Sequence, residues 1–239
     1  MMNRMMHTAA FVLAAAILGA ALYWQVDLIH RGGPVMVPIV MCSIFSLALA
    51  IERMLYFVRL HLGTDIERWF QQLRDAVEGH RWQQAQKLGE QWSGPVGRVV
   101  LAGLAVHEAT PREIDEAMEE AAHHEMPAVE RHLRWLSTLA QVSTLLGLLG
   151  TVTGLVRAFQ AIQAKTAAGA PVNPGDLAGG VWEALITTVA GLLVAIPTIL
   201  AYNYLASRVT EVQFHMEKAA SLLAGWRRRG HAAASTQKA

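Results

Sequence analysis

Cysteine is almost missing from this chain. Cys42 is the only one, which excludes an intrachain disulfide and a multi-cysteine zinc site. Its place in an apolar run marks it as a small packing residue. Charge is scarce as well. Only 16% of the 239 residues are Asp, Glu, Lys or Arg, against 53% apolar, so the composition is more apolar than that of an ordinary soluble domain. A formal net charge of +1 is too small to suggest nucleic-acid binding. Catalytic signatures are lacking too. GxSxG, HExxH, the P-loop pattern and paired CxxC motifs do not occur, so hydrolase, zincin, P-loop and zinc-ribbon readings have no support. The chain is read as a non-enzyme without cofactor or metal. His123 and His124, with Glu120 a turn away, are read as a solvated helix face rather than a metal site. No long Ser/Gly/Pro tract is present, so disorder is expected only at HAAASTQKA at the C-terminus.

What is there is a set of long apolar blocks. A hydrocarbon core about 30 Å thick needs roughly 20 apolar residues of helix. Three stretches qualify: 35–57, 136–162 and 177–206. A fourth, TAAFVLAAAILGAALYW at 8–24, is shorter and follows MMNRMMH. It is read as an uncleaved short membrane helix, with a cleaved signal peptide as the alternative. The fold class expected is an all-α membrane protein. Three long transmembrane helices extend into a cytoplasmic helical bundle, with the short N-terminal segment in addition.

Positive charge in short connections sets orientation. The connection 165–176 holds one Lys and one Asp, whereas 58–130 holds seven Arg or Lys, and the C-terminus holds Arg208, Lys218 and Arg227, Arg228 and Arg229. Residues 58–135 and 209–239 are therefore expected in the cytoplasm, 165–176 outside, and 1–31 as an apolar segment with an external hairpin. The first span is placed at 32–57 and the two central spans within 136–208.

The cytoplasmic parts read as helices. Thr64 with Glu67 and Thr110 with Glu113 fit capping boxes, the second with Pro111 at the first helical position. Ile66, Trp69, Phe70, Leu73 and Val77 recur at helical spacing and define one apolar face. WSGPVG interrupts the pattern at 92–97. The acidic run from Arg112 to Trp135 is expected to lead straight into the second long span, bent at Pro127. Trp135 and Trp182 suit an interfacial belt, and the other tryptophans, scattered along the sequence, fit packing.

The polar residues inside the central spans carry the functional argument. Thr144, Gly147, Thr151 and Gly154 step by three or four and share one helix face. Small residues at this spacing allow close helix approach in lipid, and Gly150, Gly191 and Pro197 join them as packing candidates. The same face also reads as a polar lining for water or protons. With span ends near Ile162 and Leu177, Thr151 and Thr188 each lie about 16 Å from the external ends, near mid-bilayer. Arg157 and Glu183 fall at matched depth nearer that surface. A charge of each sign at one level suggests a pair or a shared aqueous cavity. The plainer reading is that Glu183 snorkels to the boundary.

These residues carry a resemblance. GLLGTVTGLVRAF and EALITTVAGLLVAIPTILAYN resemble the two signature helices of the ExbB/TolQ/MotA proton-channel family, and GGPVMVPIVMCSIFSLALAIERM resembles the first helix of its ExbB branch. The resemblance covers roughly residues 32–208. It implies an inner-membrane, multi-pass, lipid-embedded homopentamer. That pentamer encloses an ExbD/TolR-like single-span partner with an essential membrane aspartate, and in the ExbB branch delivers proton motive force to a TonB-like protein. By motif, Thr151 and Thr188 correspond to pore-lining threonines and Glu183 to the membrane carboxylate. Thr187 stands where alanine is common and adds a hydroxyll of undefined role, while Arg157 is not a family hallmark. A cationic partner favours the charged form of a carboxylate, so the partner's aspartate is expected to carry the proton while Glu183, Thr144, Thr151, Thr187 and Thr188 shape its path. The alternatives are a TolQ-type role in envelope maintenance and division, or a membrane assembly protein that conducts nothing.

Overall fold

The computed structural model describes residues 32–60, 64–92 and 94–236. Among these every regular element is helical and no strand occurs. In chain order the helices are α1 (Met36–Arg59), α2 (Thr64–Glu78), α3 (Trp82–Gln91), α4 (Pro95–Ala105), α5 (Pro111–Val129), α6 (Leu133–Ala167) and α7 (Pro174–Thr236). The N-terminal apolar segment lies outside the described residues, and so does the Thr64 side chain of the first expected capping box. The second box forms: Thr110 and Glu113 bond reciprocally, with Pro111 at the first helical position. α7 runs to Thr236, so helix continues through most of the stretch expected to be a disordered tail.

Two compact units divide the chain. The first contains the start of α1 together with Trp135–Ala201, and the second contains Ile51–Arg134 together with the chain from Tyr202 onward. In the first, Met36, Ile39 and Cys42 of α1 pack with Ala190 and Val194 of α7, flanked by Leu139 and Leu146 of α6. Its outward surface is apolar: Val37, Phe45, Leu145, Leu148, Ile196 and Leu200 are all exposed. Among the described residues three helical stretches, Met36–Arg59, Pro111–Ala167 and Pro174–Trp226, each contain a run long and apolar enough to cross a membrane. An outward Leu or Phe costs little when the surroundings are hydrocarbon.

The second unit is built the other way round. Ile66, Trp69, Phe70, Leu73 and Val77 of α2 are all buried, so the helical spacing read from the sequence marks a true core face. Val96, Val99 and Val100 of α4, Ile114 and Met118 of α5, and Val212, Met216 and Leu223 of α7 are buried as well. Trp69 Nε1 donates to the Leu88 carbonyl at 2.9 Å, which satisfies the polar tip of a buried ring. The tryptophans of this unit pack, as expected. Trp69 stacks near Trp92, and Trp82 meets Trp226 and His107.

The passage from α5 to α6 differs from expectation. Pro127 sits inside α5 without ending it. The interruption comes at residues 130–132, where His132 takes φ 66, a left-handed conformation uncommon for a side-chain-bearing residue. In an unbroken helix the His132 N–H would bond the Ala128 carbonyl. Here Arg53 Nη1 donates to that carbonyl at 3.1 Å, and a cation at a helix C-terminus is favourable. Arg53 also donates to Glu52 at 2.9 Å, and Glu52 faces His132 Nδ1 at 3.0 Å. The joint therefore has three side chains fixing it, none of which the local sequence around Pro127 reveals.

Candidate functional site: the seam between the two central helices

α6 and α7 meet where neither has a bulky side chain. On α6 the contact positions are Ser143, Gly147, Gly150, Gly154 and Ala158, stepping by four, three, four and four. On α7 they are Gly180, Ala184, Thr187, Thr188 and Gly191. A Cβ on Gly191 would lie 2.6 Å from the Ser143 carbonyl oxygen and 3.0 Å from Gly147 Cα. One on Gly154 would lie 2.8 Å from Ala184 Cβ, and one on Gly180 would lie 2.5 Å from Ala158 Cβ. The space beside Gly150 is filled by the side chain of Thr187. Absent Cβ atoms thus let backbones approach closely, the way helices associate where lipid offers no hydrophobic drive.

This corrects the face read from the sequence. Gly147 and Gly154 belong to the contact, but Thr144 is exposed and Thr151 half-buried on its flank. Gly150 and Gly191 lie in the contact as expected, and the α6 row also takes in Ser143 and Ala158. Sequence reasoning missed Ser143, Ala158, Gly180 and Ala184, although small residues at spacings of three and four were there to find them. Thr187 is only 1% exposed and is a packing residue of the seam, not part of an accessible lining. Pro197 lies exposed on α7, away from the seam.

Each hydroxyl has a carbonyl to bond. Thr188 Oγ1 donates across the seam to the Gly147 carbonyl at 3.0 Å, the one of these bonds that links two helices. Thr187 Oγ1 donates to the Ala184 carbonyl at 2.8 Å, Thr151 Oγ1 to Leu148 at 2.6 Å and Thr144 Oγ1 to Ala140 at 3.1 Å. Back-bonding of this kind satisfies the donor within an apolar segment. It leaves the oxygen lone pairs of half-buried Thr151 and Thr188 able to accept from water or an acid.

Above this row the structure brings the two charges together. Arg157 Nη1 donates to Glu183 Oε1, with the Glu183 side chain 22% exposed and that of Arg157 42%. Gly33, in the turn that starts α1, rests against both side chains. Farther along, Lys165 Nζ bonds Asp176 Oδ1 at 2.6 Å, and the Asn173 N–H bonds Asp176 Oδ2 at 3.0 Å. The Lys165 ammonium, and then that N–H, hold the Asp176 carboxyl below its ordinary value. These bonds tie down the connection between α6 and α7, which spans 168–173 rather than the 165–176 expected. Because α6 and α7 lengthen at the same end, Arg157 and Glu183 stay level.

Comparison with known proteins places this geometry among others. The model of the MotA/TolQ/ExbB proton channel family matches residues 91–218. A putative biopolymer transport protein ExbB-like 3 from Synechocystis is 35% identical over 74% of this chain and 82% of its own length. Biopolymer transport protein exbB1 of Vibrio cholerae is 31% identical over 71% of this chain and 73% of its own length. The Tol-Pal system protein TolQ of Haemophilus influenzae is 42% identical over a shorter stretch, 41% of each chain.

Proposed function

We propose that this chain, which belongs to the MotA/TolQ/ExbB proton channel family, is the channel subunit of an inner-membrane motor driven by the proton motive force. In this reading α1, α6 and α7 cross the bilayer, the second unit lies in the cytoplasm, and five copies surround the single span of an ExbD/TolR-like partner. The partner's aspartate carries the proton. Thr151 and Thr188 hold its path with their free lone pairs, and Glu183 sets the local field from its pair with Arg157. The work passes to a TonB-like protein and energises outer-membrane transport, the role of the ExbB branch. One observation carries the conducting part of this reading. An ion pair sits between two helices otherwise apolar enough for lipid, where charge costs several kcal/mol, and a packing scaffold has no need of it.

Proton flux into membrane vesicles holding the full complex tests the reading. Thr188→Ala, Thr151→Ala and Glu183→Gln should each cut gradient-driven flux about tenfold, the equivalent of losing one hydrogen bond of about 1.4 kcal/mol along the path. Wild-type flux in all three, at normal membrane levels, would leave a non-conducting assembly protein. A TolQ-type role is the second reading, supported by the higher local identity to the Haemophilus protein. Deleting the gene separates the two. Loss of outer-membrane nutrient uptake supports the ExbB role, and loss of envelope integrity during division supports the TolQ role.

A further inference from the structure

The start of α1 has an unusual relation to the Arg157 and Glu183 side chains. Gly33 adopts φ +66, a conformation in which side-chain-bearing residues are strained. Its carbonyl accepts from the Met36 N–H at 3.1 Å, so Gly33 opens the first turn of the helix. Had Gly33 a Cβ, it would lie 2.7 Å from Arg157 Nη1 and 3.0 Å from Glu183 Cδ, and would overlap Glu183 Oε1. Backbone conformation calls for glycine at this point, and an added Cβ would also push the ends of the Glu183 and Arg157 side chains aside. Gly32 beside it is buried. The positive end of the dipole of a 24-residue helix also comes to a carboxylate here, an arrangement favourable to negative charge. α6 supplies the cation, α7 the anion and α1 the cover.

We propose that the turn at Gly32 and Gly33 is a latch that keeps Glu183 paired with Arg157, so that α1 must shift against α6 and α7 before the carboxylate is released. Gly33 is thus a positioning residue. It acts through Glu183, by setting whether that side chain is held under the start of α1 or stands open. The role in gating rests on the channel reading, whereas the cover over Glu183 does not. A latch of this kind would make α1 part of the gate, and it would explain why a chain with an arginine in its second span also keeps a left-handed glycine ahead of its first.

A hydrophobic carbodiimide tests the cover directly, because it modifies accessible, protonated carboxyl groups within membranes. Modification of Glu183 in the full-length membrane protein is read by peptide mass spectrometry, with Asp176 and Glu217 as internal references. Wild type should label slowly at Glu183. Arg157→Gln should raise the rate about tenfold and Gly33→Ala severalfold. The double variant should label no faster than Arg157→Gln alone. An unchanged rate at Glu183 in Gly33→Ala overturns the latch. A rise shared equally by Asp176 and Glu217 also overturns it, since the variant would then have loosened the whole fold. If Gly33→Ala does not accumulate, Gly33→Asn, whose side chain tolerates the left-handed conformation, takes its place, and an unchanged rate at Glu183 in that variant overturns the latch. Flux through the same vesicles reports on the channel reading separately. Altered labelling with wild-type flux in Thr151→Ala, Thr188→Ala and Glu183→Gln would retain the latch and end that reading.

Discussion

The two units of this chain solve the same packing problem with opposite materials. In the first, glycine, alanine, serine and threonine face inward along the α6 and α7 seam, and leucine, valine and phenylalanine face out. In the second, Leu73, Val100, Ile114, Met118 and Leu223 face inward, and the outer ends of the helices carry ion pairs such as Arg112 with Glu116 and Lys218 with Glu67. The difference follows from the solvent each surface suits. Water rewards removal of apolar area at about 25 cal/mol per Å², so large side chains go inside. Hydrocarbon gives no such reward, and close backbone contact with satisfied polar groups has to hold helices together.

The largest effect expected from breaking this comparison is in the water-type core. Leu73 is fully buried, and Leu73→Ala should cost about 2–5 kcal/mol through lost transfer energy and the cavity left behind. Urea titration followed by tryptophan emission measures it, since Trp69, Trp82, Trp92 and Trp226 all report on this unit. The matched substitution Leu148→Ala, at a side chain 60% exposed, should change stability by no more than about 0.5 kcal/mol. Equal losses at the two positions would mean that the Leu148 face packs against protein rather than lipid, and the contrast between units would fail.

A smaller effect is expected from the seam. Gly150→Ala would drive a methyl into the side chain of Thr187, and overpacking of this kind costs about 1–3 kcal/mol. Thr187→Gly takes away the Oγ1, Cβ and Cγ2 atoms that the new methyl meets, so the double variant should recover part of the loss. Thermal inactivation of the detergent-solubilised protein, compared across the two single variants and the double, gives the coupling. Strict additivity would show that the helices yield apart there and that the seam is not tightly set.

How much of this was readable beforehand depends on the range of the interaction. The face of α2 was legible, because Ile66 to Val77 repeat at helical spacing and burial in water follows apolarity. The all-helical class and the three long spans were legible from run length. Matching the levels of Arg157 and Glu183 also needed only counting. Gly147, Gly150, Gly154 and Gly191 were legible as packing residues, but Ser143 was missed because Thr144 shares a face with Gly147 as plausibly as Ser143 does. Only the partner helix, with Gly191 against Ser143 and Thr187 against Gly150, decides between them. The joint after Val129 was out of reach for a similar reason. Pro127 is the visible breaker, but the carbonyl freed at Ala128 is taken by Arg53, 75 residues earlier in the chain. Gly33 was likewise invisible as a cover, since nothing in GGPV names the two side chains it rests on.

The smallest effect expected concerns His215, which sharpens the comparison because it places a polar ring in the core that should exclude one. It is 8% exposed, its Nδ1 is buried without a hydrogen-bond partner, and its ring lies 5.9 Å from Phe70 and 5.6 Å from Phe214. Burial pushes the imidazole below its ordinary value of 6.5; Glu211 and Glu67 act against that shift and Lys218 adds to it. The sign follows from proton counting. When the folded value is depressed, the unfolded chain binds more protons in the interval between the two values, so stability rises with pH there. The unit should be insensitive to this group above about pH 7 and lose stability as pH falls below about 6.5. His215→Phe should remove that slope and, by replacing an unsatisfied buried nitrogen, raise stability by about 1 kcal/mol at neutral pH. Urea midpoints measured at pH 5.5 and 7.5 for both proteins give the answer. A wild-type midpoint that holds steady as the pH drops would mean His215 protonates without cost. The second unit would then tolerate buried charge, a property the comparison assigns to neither solvent.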